Sequence, residues 1–307
     1  MAHLTSASPA LARRVAEELG ALPALIAAVA AGGAAAGPNL QEAAAHSAVV
    51  LAHITEFVPG VSWLVAQQPG VLRTLVAAVA AGGAAAGLSQ QEATTHRAVL
   101  VAHNTEVYPV SARRVACERG ALRTLVTAVT ADATWAPGSL QDTAKYGVVR
   151  VLAGIAKAGP ACASRLARER GALPALVAVI AAGGIADTPR LQNAASCCAL
   201  ALGNFAQASP QLAWRVAEEP GALPALVAAV AAGGASAASS SLLAKAPAAH
   251  CVVGLLSVCL TSPDLMTRVA EEPGVLSALV AAVVLAVLRP RPACKMRPHT
   301  AQLCCRI

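Results

Sequence analysis

Aromatic side chains are almost missing from this chain: Trp, Tyr and Phe together supply seven of its 307 residues. A core with so few rings must close on small aliphatic groups. Alanine dominates the 56% apolar content, and alanine favours helices, whereas strands prefer branched and aromatic residues. Long hydrophobic runs are missing too. Val275 to Leu288 is among the longest, short of the ~20 residues that a bilayer crossing takes, and Gly-Gly pairs interrupt most of the others. Membrane insertion is therefore not expected. The opening residues hold no apolar stretch before a cleavage site and no Gly at position two, so the expected location is cytoplasmic or nuclear. The nine cysteines form no C-x-x-C pair and read as free, mostly buried thiols rather than a disulfide framework.

Catalytic constellations are absent as well. The Gly-Gly segments lack the Lys-Ser/Thr of a phosphate loop, and no nucleophile sits beside a base, so no enzyme activity and no cofactor are expected. Five cations of the +7 balance, Arg289, Arg291, Lys295, Arg297 and Arg306, lie in the last 19 residues. Nucleic-acid binding is excluded on that distribution, because it calls for basic residues clustered on a structured face, often with stacking aromatics.

What the chain does have is a repeated phrase. It reads GALPALIAAV from Gly20, GVLRTLVAAV from Gly70, GALRTLVTAV from Gly120, GALPALVAVI from Gly171, GALPALVAAV from Gly221 and GVLSALVAAV from Gly274. A period near 50 residues marks a stacked array of about six units over residues 1–288. Residues 289–307 form a basic tail interrupted by Pro290, Pro292 and Pro298, expected to be disordered.

In the fourth unit, Leu173, Leu176, Val177 and Ile180 recur at helical spacing and predict a helix buried along one face. The AAGG segment after it reads as a loop. A longer helix comes next, with Ala195, Cys198, Leu202 and Phe205 on its buried stripe. The spacings Asn39/Glu42, Ser89/Glu92 and Ser139/Asp142 resemble capping boxes and place the starts of the long helices near residues 40, 90, 140 and 190. A short helix then runs into the next glycine, which is expected to end it in the left-handed conformation.

This order of short, second and long third helix, carried by Gly171-Ala-Leu-Pro-Ala-Leu-Val177 and the alanine-rich segment from Leu191 to Ala206, resembles the armadillo repeat family, with a HEAT-type array as the alternative. The resemblance implies an all-α, right-handed α-solenoid of three-helix repeats. The period of about 50 exceeds the family's ~42. In peptide-binding armadillo proteins the third helices line a concave groove, where an Asn four residues after a Trp holds the peptide backbone. Here the Asn positions carry His3, His53, His103, Gly154, Asn204 and Ser257, and the Trp positions carry Val49, Val99, Arg150, Leu200 and Val253. Only Asn204 matches, so recognition of nuclear-localisation peptides is not implied.

Histidines recur in a second column at His46, His96 and His250. Within one helix the two columns lie seven residues, or ~10 Å, apart, too far to share a metal bound ~2 Å from each nitrogen, and no metal site is expected. The expected function is a non-enzymatic scaffold binding an extended peptide or helix of another protein through His46, Val49, His53, His96, Val99, His103, Arg150, Leu200 and Asn204. Two other readings stand beside it: a membrane-associated adaptor lipidated at Cys304 or Cys305, and the substrate-recognition array of a larger enzyme such as a ubiquitin ligase. Both terminal units read as incomplete, which predicts self-association through the carboxy-terminal repeat.

Overall fold

The computed structural model describes residues 8–18, 20–31, 37–67, 71–81, 88–130, 140–184, 188–236 and 246–280. Among these residues every regular element is helical. The first unit comprises α1 (Pro9–Glu17), α2 (Ala21–Ala31) and α3 (Pro38–Phe57). The second has α4 (Pro59–Gln67), α5 (Val71–Ala81) and α6 (Leu88–Val107), and the third α7 (Pro109–Cys117), α8 (Ala121–Thr130) and α9 (Leu140–Lys157). The fourth contains α10 (Pro160–Arg168), α11 (Ala172–Gly184) and α12 (Pro189–Ala208), and the fifth α13 (Pro210–Glu218), α14 (Ala222–Ser236) and α15 (Ala246–Cys259). The short helix α16 (Pro263–Glu271) leads into the sixth glycine-led segment.

All six short helices begin on proline, whose missing N–H costs nothing in a first turn and whose fixed φ suits it. Ser8, Ser209 and Ser262 precede three of them, and each hydroxyl accepts from a backbone N–H of that turn. The repeat glycines take φ of 79° to 85° at Gly20, Gly120, Gly171, Gly221 and Gly274. They do not cap the short helices as expected. Each short helix before them closes on an extended C-cap glutamate, such as Glu219. The carbonyl of Glu219 accepts from the N–H of Ala222 at 3.1 Å, so Glu219, Pro220, Gly221 and Ala222 form a turn whose third residue has positive φ. That combination is the signature of a type II turn, with proline favoured second and glycine third. Gly221 in turn opens the second helix, its carbonyl accepting from Ala225 at 2.9 Å.

The stripes read from the fourth unit are buried, with Ile180, Cys198, Leu202 and Phe205 fully so. The starts of the long helices fall within two residues of expectation, but two of the capping boxes do not form. Pro38 and Leu88 already begin α3 and α6, which puts Asn39 and Ser89 inside the helices, and the cap ahead of Pro38 is Gly37. Ser139 lies outside the described residues. The AAGG segments also depart from the loop reading in the fourth and fifth units, where α11 runs through Gly183-Gly184 and α14 through Gly233-Gly234. A Cβ on Gly183 would lie 2.5 Å from both the Ala195 Cβ and the Leu191 carbonyl oxygen. Glycine there permits close packing of α11 on α12.

Long helices stack in sequence order: α3 on α6, α6 on α9, α9 on α12 and α12 on α15. Second helices keep the same order, so the extensive helix contacts lie within one unit or between consecutive ones. Two of the long-helix seams are tight enough to require glycine. A Cβ on Gly147 of α9 would stand 2.7 Å from that of Ala98 in α6, and a Cβ on Gly254 of α15 would stand 2.9 Å from the Ala199 carbonyl oxygen of α12.

Candidate functional site

Because consecutive long helices pack side by side, residues at equivalent positions form rows across them. Val49, Val99, Arg150 and Leu200 form one such row on α3, α6, α9 and α12, each partly exposed beside buried neighbours, and Val253 of α15 extends it. The row is apolar at every position but one. Arg150 does not stand open. Its Nε donates to Glu106 Oε1 at 2.7 Å and its Nη2 donates to Oε2, a bidentate pair linking α9 to α6. Its guanidinium carbon lies 5.7 Å from the centroid of the Tyr146 ring, one turn earlier. Burial opposes the charge on Arg150, but the hydrogen bonds and field of Glu106 outweigh it and raise the pKa above the ordinary arginine value. Arg150 is therefore a cross-strut of the surface and not a free fork offered to a partner.

Cys197 of α12 borders this cluster. Burial, reinforced by the Glu106 charge, pushes its thiol up to about 11, and burial drives Cys251 up to about 12 and Cys198 well above the usual thiol range. These groups stay protonated at neutral pH, the opposite of an activated nucleophile. Burial raises Tyr146 as well, with the field of Cys197 adding to it.

The histidine columns separate by environment. His46 is exposed, its Nε2 3.7 Å from Glu42 Oε1 one turn away. His53 on α3 lies against His96 on α6 with ring centroids 6.1 Å apart, so rings from the two columns meet between helices and not along one. Among the described residues no group of three or more His, Cys, Asp or Glu is placed to hold a metal. His250 forms a hydrogen bond through Nδ1 with the Ser196 hydroxyl of α12, and burial lowers its pKa.

His103 and Asn204 are half-exposed, but their column turns toward the seam between long helices. Its member Gly154 is buried, with space for a Cβ only 3.0 Å from the Thr105 backbone. Ser257 is buried too, donating to the Val253 carbonyl and accepting from Gln207 Nε2 at 2.9 Å. The candidate residues thus divide into an open row at Val49, Val99, Arg150 and Leu200 and a seam at His53, His103 and Asn204. Glu106 and Tyr146 were not anticipated as members of the site. The signal for them is a lone arginine in an otherwise apolar row, with a carboxylate 44 residues before it. Cys304 and Cys305 lie outside the described residues, and no described helix is long and apolar enough to cross a membrane.

No protein-family model matches the chain, and no curated protein matches it.

Proposed function

We propose that this protein is an armadillo-type α-solenoid that acts as a non-enzymatic scaffold, binding an extended peptide or a helix of another protein across its long helices. The observation that carries the reading is the row Val49, Val99, Arg150 and Leu200, partly exposed at one position in four consecutive units. Such a row gives a partner an apolar contact in three of the four units, and the Arg150–Glu106 pair supplies a fixed polar landmark in the third. Affinity on this surface accumulates with the number of units spanned.

The test compares affinity capture by the intact chain and by its Val99→Asp, Leu200→Asp variant, with cross-links mapped on both. Partners lost from the variant, with their cross-links concentrated on α6, α9 and α12, support the proposal. Partners retained by the variant, or cross-links placed on the second helices, reject it.

A further inference from the structure

Away from the long-helix row, one apolar surface patch contains a clear break in the repeat. Trp63 and Leu64 of α4 are 40% and 43% exposed, and Val107 and Val110, either side of the α6–α7 junction, are each 45% exposed. Tyr108, between them, brings its ring centroid 6.4 Å from that of Trp63. Six residues before its turn glycine, every other unit carries an exposed arginine: Arg14, Arg114, Arg165, Arg215 and Arg268. The second unit alone carries leucine there. Tyr108 occupies the helix-capping position that Ser8, Ser209 and Ser262 fill elsewhere, and it makes no side-chain cap. Val110 stands where other units have Ala10, Gly60, Ala161, Gln211 and Asp264.

A chain this poor in aromatics has thus placed two of its rings in contact at the surface, beside a leucine where the other units have an arginine. Trp63 is exposed and Tyr108 half-buried against it, and aromatic side chains in an apolar surface cluster are the usual anchors of protein interfaces. The electrostatic setting narrows the occupant. Neither α4 nor α7 contains an Asp or Glu, Glu106 beside Val107 is engaged by Arg150, and Arg113 shares a face of α7 with Val110 at i, i+3 spacing. Its Nε donates to the Ala158 carbonyl at 3.3 Å, which holds the cation in place without neutralising it.

We propose that Trp63, Leu64, Val107, Tyr108 and Val110 form a second docking surface, independent of the long-helix row, for a protein segment whose large apolar side chains are flanked by Asp or Glu.

The test selects a displayed library of random linear peptides on the full chain and on its Leu64→Arg, Tyr108→Ser variant. Both substitutions restore residues found at these positions in other units, so the fold is retained, and an unchanged circular dichroism spectrum checks this. The expected result is enrichment of acidic peptides bearing aromatic or leucine anchors by the native chain. That enrichment should fall about tenfold or more in the variant, as for loss of an interface anchor, and stay intact in Val99→Asp, Leu200→Asp. Equal enrichment by native and Leu64→Arg, Tyr108→Ser chains, no acidic bias, or no enrichment would each overturn the proposal. So would Leu64-dependent binding to phosphatidylserine vesicles in place of peptides, which would make the patch a membrane contact. Loss of these peptides in Val99→Asp, Leu200→Asp instead would assign them to the long-helix row and remove the second surface.

Discussion

At the scale of single residues, the structure shows how the seam between long helices uses its few polar groups. Arg150 and Glu106 answer each other across α6 and α9, and His250 and Ser196 do so across α12 and α15. The sequence shows the residues of both pairs but not the pairing: the 44 residues between Glu106 and Arg150 fall more than a turn of helix short of the repeat period, and the 54 between Ser196 and His250 join different columns. The His250 pair has a consequence for stability. Burial holds its pKa below the ordinary value in the folded chain, while the unfolded chain takes up that proton near pH 6.5. Stability from this site is therefore complete above about pH 6.5 and declines as pH falls below it, because the unfolded state then binds more protons. Urea midpoints measured from about pH 7.5 down to about pH 5 should fall, and they should fall less for His250→Gln. Parallel curves for the two proteins would refute the assignment.

At the scale of elements, the start of each short helix records a choice between stability and surface chemistry. Proline fixes the first turn in all six, and serine adds a cap in three of them. Tyr108→Ser should install the missing cap and stabilise α7 by about 0.5–1 kcal/mol, and Ser209→Ala should cost about 1 kcal/mol at α13. Amide exchange protection in the first turns of α7 and α13 reads these changes where they occur; unchanged protection in both would show that proline alone sets these starts. The turns after the short helices were legible in part. The glycine and its positive φ are implied by the repeated sequence, but its place as third residue of a turn shows only in the Glu219–Ala222 hydrogen bond. The fate of Gly183-Gly184 was not legible. Local propensity argues against helix at a glycine pair, and the close approach of Leu191 and Ala195 outweighs it.

At the scale of the whole molecule, each unit is completed by its neighbours, and among the described residues nothing covers the sixth in the same way. Leu22, Leu72, Leu122, Leu173 and Leu223 are at most 8% exposed, whereas Leu276 at the same position is 65% exposed. Val280 is likewise 62% exposed, where Val227 and its other counterparts are at most 7% exposed. Fully burying such a side chain contributes about 1.5–3 kcal/mol, and an open group of them drives association. Sedimentation should show a concentration-dependent increase in mass that Leu276→Ser, Val280→Ser suppresses. A native chain that stays monomeric as concentration rises would mean that another part of the chain covers this face.

The sequence by itself determined the helices, their period and their buried stripes, because alanine content, turn glycines and 3.6-residue spacing act locally and repeat in every unit. It also marked which residues break the repeat: Arg150 in an apolar row and Leu64 among arginines. Only the tertiary structure decided what those exceptions meet. Arg150 closes on Glu106 across α6 and α9, whereas Trp63 and Tyr108 bring their rings together. The physical reason is that side-chain pairing between units depends on how far one helix is shifted and rotated against the next. In two of the seams that offset is limited by close glycine contacts, at Gly147 against Ala98 and Gly254 against Ala199, and no local spacing encodes it.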